Sequence, residues 1–427
     1  DFCLSRGLGD VYKRQVIGGS FLLAAAYALP QRSIDKHVEE SVAVLAEEGN
    51  YPVETPGILG TMRDNYTDAI MLNMASYDSK YPLLQKAFGN YKKRNSDKYA
   101  VTWLEHRNDK DAKSVSYARY WHGYLVPLKL LLEVFNYQQI RSLIIFTDLL
   151  LIVWICLLMQ KKGRNRYIFP FLITLMFFPL NIVGKSLQFS TVFIPVLLEI
   201  LLMLKYEKNF HAQYGLLFLF SGIVTAYLDL LTYPLVSVGF LLCFAIISDE
   251  NSRCFGKWKN MVGYTLSWGI GYGGMWASKW LISSLILREN VLKNAVDTAA
   301  FRVSTSNGND TWTHMDVWKV NISNSPKIIL VPVLIFVVYL LIRCVQKKTD
   351  KINFISNSVF IIIACMPFVW YFIMSNHSYI HSFFTHRELA VSCLAILFYF
   401  TSFCGKRALE RLSLIHISEP TRQAEIS

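Results

Sequence analysis

Three polar clusters in this chain have the residue types and spacing for chemistry. The first is Arg63-Asp64-Asn65-Tyr66-Thr67-Asp68. On a helix Asp64 and Asp68 are i and i+4, so both carboxylates face one way. Such a face could hold a general base or a divalent cation. The competing reading is that both are solvated acids at the start of a helix over Ala69–Ala75, with Asp64 or Thr67 as its N-cap. The second cluster is Tyr117-Ala118-Arg119-Tyr120-Trp121-His122-Gly123-Tyr124. It is either an aromatic and cationic rim for a sugar or lipid headgroup, or a membrane-interface belt with a snorkelling Arg119.

The third cluster runs from Asn376-His377-Ser378-Tyr379-Ile380-His381 to Thr385-His386-Arg387. His377 and His381 share a helical face. A zinc site would need a third ligand that the spacing does not supply. Donation to a phosphate suits the set better, with Arg387 as a planar fork and His377, His381 and His386 as further donors. Lys185 and Asp229 stand near the ends of apolar runs, where ionisable groups are candidates for function. Glu199 inside an apolar run reads as paired or facing the interior of a bundle. No cofactor is called for; a divalent cation enters only through the carboxylate pair.

The elements that must position these residues follow from composition. Of 427 residues 53% are hydrophobic and only 17% charged, against roughly 25% charged in soluble domains. That excludes a disordered chain, a coiled coil and most soluble enzymes. It indicates an all-α polytopic membrane protein. Ten apolar runs read as spans, at 16–30, 142–160, 167–184, 189–204, 213–231, 234–248, 262–286, 327–344, 356–374 and 388–404. Gly269 and Gly273 have the small-xxx-small spacing of close helix packing.

The net charge of +12 becomes informative once its placement is read. One set of alternating short loops, at 161–166, 205–208, 253–259, 343–351 and 406–411, collects the Lys and Arg residues; the opposite set holds only Lys185 and Arg387. The positive-inside rule makes the first set cytoplasmic. The charge is therefore a topology signal and no nucleic-acid partner is expected. The long segments 31–141 and 287–326 then fall outside. The first of these is predicted to be helical near 35–48, with an interfacial helix at 123–135. Outside cysteines are absent from the predicted loops, which argues against a disulfide framework. The sequons at Asn65, Asn309, Asn321 and Asn376 lie on the predicted outer side.

Both ends are expected to be non-native. Asp10-Val11-Tyr12-Lys13-Arg14-Gln15 and Leu412-Ser413-Leu414-Ile415-His416-Ile417 can be encoded by strings that are reverse complements of each other. They resemble read-through of a transposase-based sequencing adapter. Residues 1–15 and 412–427 are set aside on that ground, leaving 16–411 as one transmembrane domain.

The acidic motif after a first span, the large outer loop and the interfacial helix together resemble the GT-C class of membrane glycosyltransferases. The resemblance covers most of 16–404. It implies sugar transfer, with inversion, from a polyprenyl-phosphate carrier to a glycan or lipid acceptor of the cell envelope. It places the protein in a bacterial plasma membrane, among membrane lipids, with its active site facing outside. Asp64 matches the family's catalytic acidic position, with Asp68 as the alternative, because the usual Asp-Glu pair is Asp64-Asn65 here. The Tyr120-Trp121-His122-Gly123-Tyr124 stretch lies where the family's interfacial helix begins, and Arg119 and His122 are candidates to bind the substrate or its lipid phosphate. Arg387, His377, His381 and Lys185 are the candidates to stabilise the leaving phosphate. A transporter or flippase of lipid-linked sugar, and a surface-polysaccharide polymerase or ligase, are the alternatives.

Overall fold

The computed structural model describes residues 2–78, 80–210, 213–248, 254–345 and 357–402. The chain is mostly helical. Among the described residues three helices are long and apolar enough to cross a membrane: Tyr137–Lys161, Leu187–Tyr206 and Ser382–Thr401. A fourth arises if the bent pair His314–Asn324 and Lys327–Tyr339, which turns by 74°, is counted as one span. Tyr214–Leu228, Leu235–Ser248 and Val359–Ile373 are shorter apolar helices. With the bent pair counted as one, these helices stand at seven of the expected positions. The full set of ten is not shown.

The Tyr137–Lys161 helix displays the sidedness of a lipid-facing element. Asn136 and Gln139 close a capping box at its start, satisfying two otherwise unpaired backbone donors. Tyr137, Ile140, Arg141, Ile144, Asp148, Leu151, Ile155 and Met159 are buried at helical spacing. The opposite face exposes Phe146, Leu149, Leu150, Val153, Trp154 and Leu157. Apolar residues on both faces suit a lipid environment, which needs no polar outer stripe. Leu235–Ser248 is instead buried on nearly every side and forms the centre of the helical core.

Two expectations are corrected here. The run 167–184 is not one helix but short pieces at Asn165–Tyr167, Ile168–Thr174, Leu175–Phe177 and Leu180–Val183. Phe178 leaves helical geometry ahead of Pro179, as expected for a residue preceding proline. The glycine spacing also misleads. The Cys254–Leu287 helix packs on Tyr214–Leu228 through Gly271 and Gly222: a Cβ on either would strike backbone, that of Leu219 or of Trp268. Gly269 and Gly273 have open space instead.

The 31–141 segment is a folded layer, not a connector. It holds helices at Gln31–Glu48, Asn65–Ala75, Leu83–Gly89, Ala100–Glu105 and Leu125–Leu132, and a hairpin pairing Lys92–Arg94 with Lys113–Val115. The last helix is the one expected at 123–135. Asn65, Asn321 and Asn376 are fully buried, so three of the four sequons are inaccessible in the folded chain. Phe2–Tyr27 is one continuous helix, and 412–427 lies outside the described residues. Cys156, Cys243, Cys365 and Cys393 are free.

Candidate functional site

Asp64 is the N-cap of the Asn65–Ala75 helix and only 3% exposed. Its two oxygens accept from the Thr67 backbone N–H and hydroxyl, each at 2.9 Å. Burial pushes its carboxyl up to about 7, opposed by the two Thr67 bonds and reinforced by the charge of Asp68. A carboxyl that titrates near neutrality and is half ionised there is suited to proton transfer.

Asp68 does not share that face, which corrects the i, i+4 reading. Because Asp64 is the cap rather than a helical residue, the two side chains enter different surroundings. Asp68 accepts from Tyr137 Oη at 2.6 Å and from the backbone N–H groups of Leu187 and Gln188 at 2.8 and 3.0 Å. It thereby caps the Leu187 helix and ties it to two others. The carboxylate pair thus offers no common face for a divalent cation. Among the described residues no group of three or more His, Cys, Asp or Glu side chains could hold a metal ion.

The residues around Asp64 are clamped. Glu48 takes a bidentate pair of bonds from Arg141, both at 2.9 Å, and single bonds from Arg63 at 2.9 Å and Asn65 Nδ2 at 2.8 Å. One carboxylate therefore holds the residues on both sides of Asp64. Although burial acts the other way, those donors bring the Glu48 carboxyl down to about 2. Arg141 also donates to Tyr137 Oη at 2.6 Å, which links the clamp to Asp68.

Beside Asp64 begins a closed circuit of rings and cations. Tyr51 stacks on Tyr66 at 5.8 Å, and Tyr66 meets the edge of Trp103 at 5.7 Å. Arg94 lies over Trp103 at 4.8 Å. Lys92 lies over both Trp103 and Tyr117, at 5.4 and 4.2 Å, and Arg119 covers Tyr117 at 4.7 Å. Arg119 lines a cavity together with Arg302. Arg302 Nη1 is 2.8 Å from His381 Nε2. His381 packs on Phe383 at 6.2 Å, and Phe383 on Tyr51 at 5.8 Å, which closes the loop. Among the described residues no carboxylate pairs with Lys92, Arg94, Arg119 or Arg302. Burial, then the charges of Arg119 and Arg94, bring the Lys92 ammonium down to about 7.

The other expected site residues have structural partners. Arg387 is fully buried, lies over the Phe189 ring at 4.5 Å and reaches the carbonyls of Phe383 and Gly60 at 3.3 and 3.5 Å. It fastens the 375–387 segment under the loop that leads to Asp64, with its Nε buried and without a hydrogen-bond partner. His386 is buried against Ser382 O at 3.1 Å. His377 is held by Leu231 O at 2.6 Å, and burial keeps its imidazole neutral at ordinary pH. His381 is likewise pushed down to about 3 by burial and by Arg302, so it accepts from that guanidinium. Lys185 lies 3.6 Å from Glu54. Asp229 accepts from Thr232 N–H at 3.0 Å and shapes a tight turn. His122 sits at φ 55° and joins Tyr117 O and Tyr124 Oη at 2.9 Å. Trp121 is fully buried and donates to Met275 O at 2.7 Å, so this cluster is core rather than a membrane belt. Glu199 is buried and accepts from Ser221 Oγ at 2.7 Å.

Of the expected residues the fold thus brings Asp64, Arg119 and His381 onto one circuit. Sequence reasoning missed Glu48, Lys92, Arg94 and Arg302, which carry no local motif. It also missed Trp268, Tyr272, Trp276 and Trp280, whose four-residue spacing makes an aromatic stripe on one helix. Comparison with family models, curated proteins and solved structures finds no match.

Proposed function

We propose that this chain is an integral membrane glycosyltransferase, moving a sugar from a polyprenyl-phosphate carrier to a glycan or lipid acceptor of the cell envelope on the outer face. Asp64 is the general base. It takes the proton of the acceptor hydroxyl as that oxygen bonds to the anomeric carbon. The bond from that carbon to the phosphate oxygen breaks, and the lipid phosphate leaves with the electron pair. One displacement inverts the configuration. The observation that carries this reading is a buried carboxyl at about 7 beside a circuit of rings and cations without acidic partners. Aromatic faces suit a sugar ring, and the cations suit the negative charge that grows on the leaving group.

The test is turnover of a lipid-linked sugar by the purified chain and by Asp64→Asn. A fall of at least a hundredfold in kcat with little change in KM is expected. Full turnover by Asp64→Asn would remove Asp64 as base. A transporter of lipid-linked sugar is favoured by one observation: Asp148 is buried in the Tyr137–Lys161 helix with neither oxygen hydrogen-bonded. Ionisable groups at such depth mark transport routes. Loss of translocation in Asp148→Asn vesicles, with no sugar transfer by the wild type, would select that reading.

A further inference from the structure

Lys92 is only 9% exposed, and among the described residues its Nζ has neither an ion-pair partner nor a hydrogen-bond acceptor. It lies instead over the rings of Tyr117 and Trp103, at 4.2 and 5.4 Å. We propose that Lys92 is a site of reversible covalent modification by carbon dioxide, its Nζ becoming a carbamate held among the guanidiniums of Arg94 and Arg119. The modification does not depend on sugar transfer.

The hairpin brings these groups together. Lys92 and Arg94 are two apart on one strand, so their side chains leave the same face. That strand pairs with Lys113–Val115, which leads on to Tyr117, whose backbone N–H donates to Gly89 O at 2.9 Å. Trp103 is fixed by its Nε1, which donates to Asp97 O at 2.8 Å. Arg94 lies over the Trp103 ring at 4.8 Å and Arg119 over the Tyr117 ring at 4.7 Å. Three cations thus share two rings.

The groups around Lys92 bring it no negative charge. Burial, then the charges of Arg119 and Arg94, lower its ammonium to about 7. The Tyr117 phenol is pushed up to about 12 by burial and stays neutral. Burial also keeps His122 neutral, and Lys92 is among the charges that push it down. Arg119 gives one N–H to Asn294 Oδ1 at 3.3 Å, but its Nε is buried without a hydrogen-bond partner. A buried charge without a counterion and a buried donor without an acceptor are both costly. Ring faces attract the cations but supply no anionic oxygen. A carboxylate at this place supplies one, and a carbamate forms it on the lysine itself.

The chemistry is that of an unprotonated amine. A lysine withdrawn from water beside other cations keeps its lone pair and becomes a nucleophile near neutral pH. Nζ attacks the carbon of CO2, which bicarbonate supplies in neutral solution. The N–C bond forms, one carbon–oxygen π pair moves onto oxygen, and a proton leaves Nζ for solvent. No oxidant or reductant is consumed. The product bears a negative charge where the ammonium bore a positive one, and guanidiniums donate to such a carboxylate as planar forks. Protonation at nitrogen and loss of CO2 reverse the step. Dissolved CO2 thereby sets whether this part of the circuit holds three cations or two cations and an anion.

The experiment uses the full chain in detergent micelles with carbon-13-labelled bicarbonate. Carbon NMR at pH 8 should show a carbamate carbon that is lost in Lys92→Arg, which keeps a cation but has no lysine amine. At constant dissolved CO2 the signal should fall about tenfold from pH 8 to pH 6, as does the neutral fraction of an amine titrating near 7. Arg119→Met should lower it at least fivefold at pH 8, since the variant removes a stabilising cation and lets the amine stay protonated. Trapping the wild type with triethyloxonium, followed by peptide mass spectrometry, should place a carboxyethyl group on Lys92. That measurement needs no variant and stays informative if one fails to fold. Absence of a carbamate in the wild type overturns the proposal, as does trapped label on other lysines but not on Lys92. A signal unchanged in Lys92→Arg or in Arg119→Met overturns it too. Asp64→Asn should form the carbamate like the wild type. A carbamate with no sugar transfer by the wild type would sink only the enzyme reading, and transfer without a carbamate would sink only this one.

Discussion

Replacing Asp64 by Asn should stabilise the protein as well as inactivate it. The asparagine keeps an oxygen for the Thr67 N–H bond and removes the charge. Burial raises the Asp64 carboxyl from 3.8 to about 7, which corresponds to about 4 kcal/mol against the ionised form. The sign follows from linkage. The folded state binds the proton more tightly than the unfolded one, so the stabilising contribution is full below pH 3.8 and is lost as pH rises through about 7. Asp68, also raised by burial, sharpens the same trend, and its charge raises Asp64 further. At pH 8 the Asp64→Asn variant therefore lacks a penalty of up to about 4 kcal/mol that the wild type carries. At pH 4 the two should be equally stable. Thermal unfolding of both proteins in detergent, followed by intrinsic fluorescence at pH 4, 6 and 8, reads the difference. A variant less stable than the wild type at pH 8, or a difference independent of pH, would refute the reasoning. The same group should give sugar transfer an acid limb in kcat/KM with an apparent pKa near 7.

Glu48→Gln should destabilise the fold by about 3 kcal/mol or more, because it leaves Arg141 and Arg63 without their shared carboxylate; chemical unfolding at pH 7 measures it. The contribution of Glu48 in the wild type is present above pH 4.5 and is lost as pH falls toward about 2, so the gap between variant and wild type should narrow on acidification. Tyr137→Phe should cost roughly 1–3 kcal/mol, since it removes the hydroxyl between Arg141 and Asp68; its unfolding midpoint should fall with the Asn65–Ala75 helix exchanging amide hydrogens faster. Gly271→Ala should cost about 1–3 kcal/mol by overpacking against the Leu219 carbonyl, while Gly269→Ala and Gly273→Ala should leave thermal stability unchanged or slightly raised.

Much of the helical plan was legible because apolar runs and capping residues are local signals. The cap at Asp64 is an example: a short acceptor followed by Thr67 and an apolar stretch marks a helix start, and the structure has that start at Asn65. The break inside 167–184 was less legible, since an apolar run has the same composition whether its helix continues or stops. The roles of the third cluster were misread for a related reason. His377, His386 and Arg387 are polar and fall within eleven residues, but their side chains are buried.

The sequence alone determined that the chain is mostly helical with apolar helices, and where the Asn65–Ala75 helix starts. Each depends on residue type or on spacing along a single helix, and neither needs a partner segment. Only the tertiary structure decided which charges are already satisfied. Arg387 lies under Gly60, 327 positions away in sequence. Among the described residues Lys92, Arg94, Arg119 and Arg302 form no ion pair with a carboxylate, because a hairpin, a loop and a distant helix meet there. Pairing is a property of distance in space, and burial then multiplies its consequences by removing water. That is why Asp64 and Asp68, four residues apart, come out as a titrating group and a structural cap.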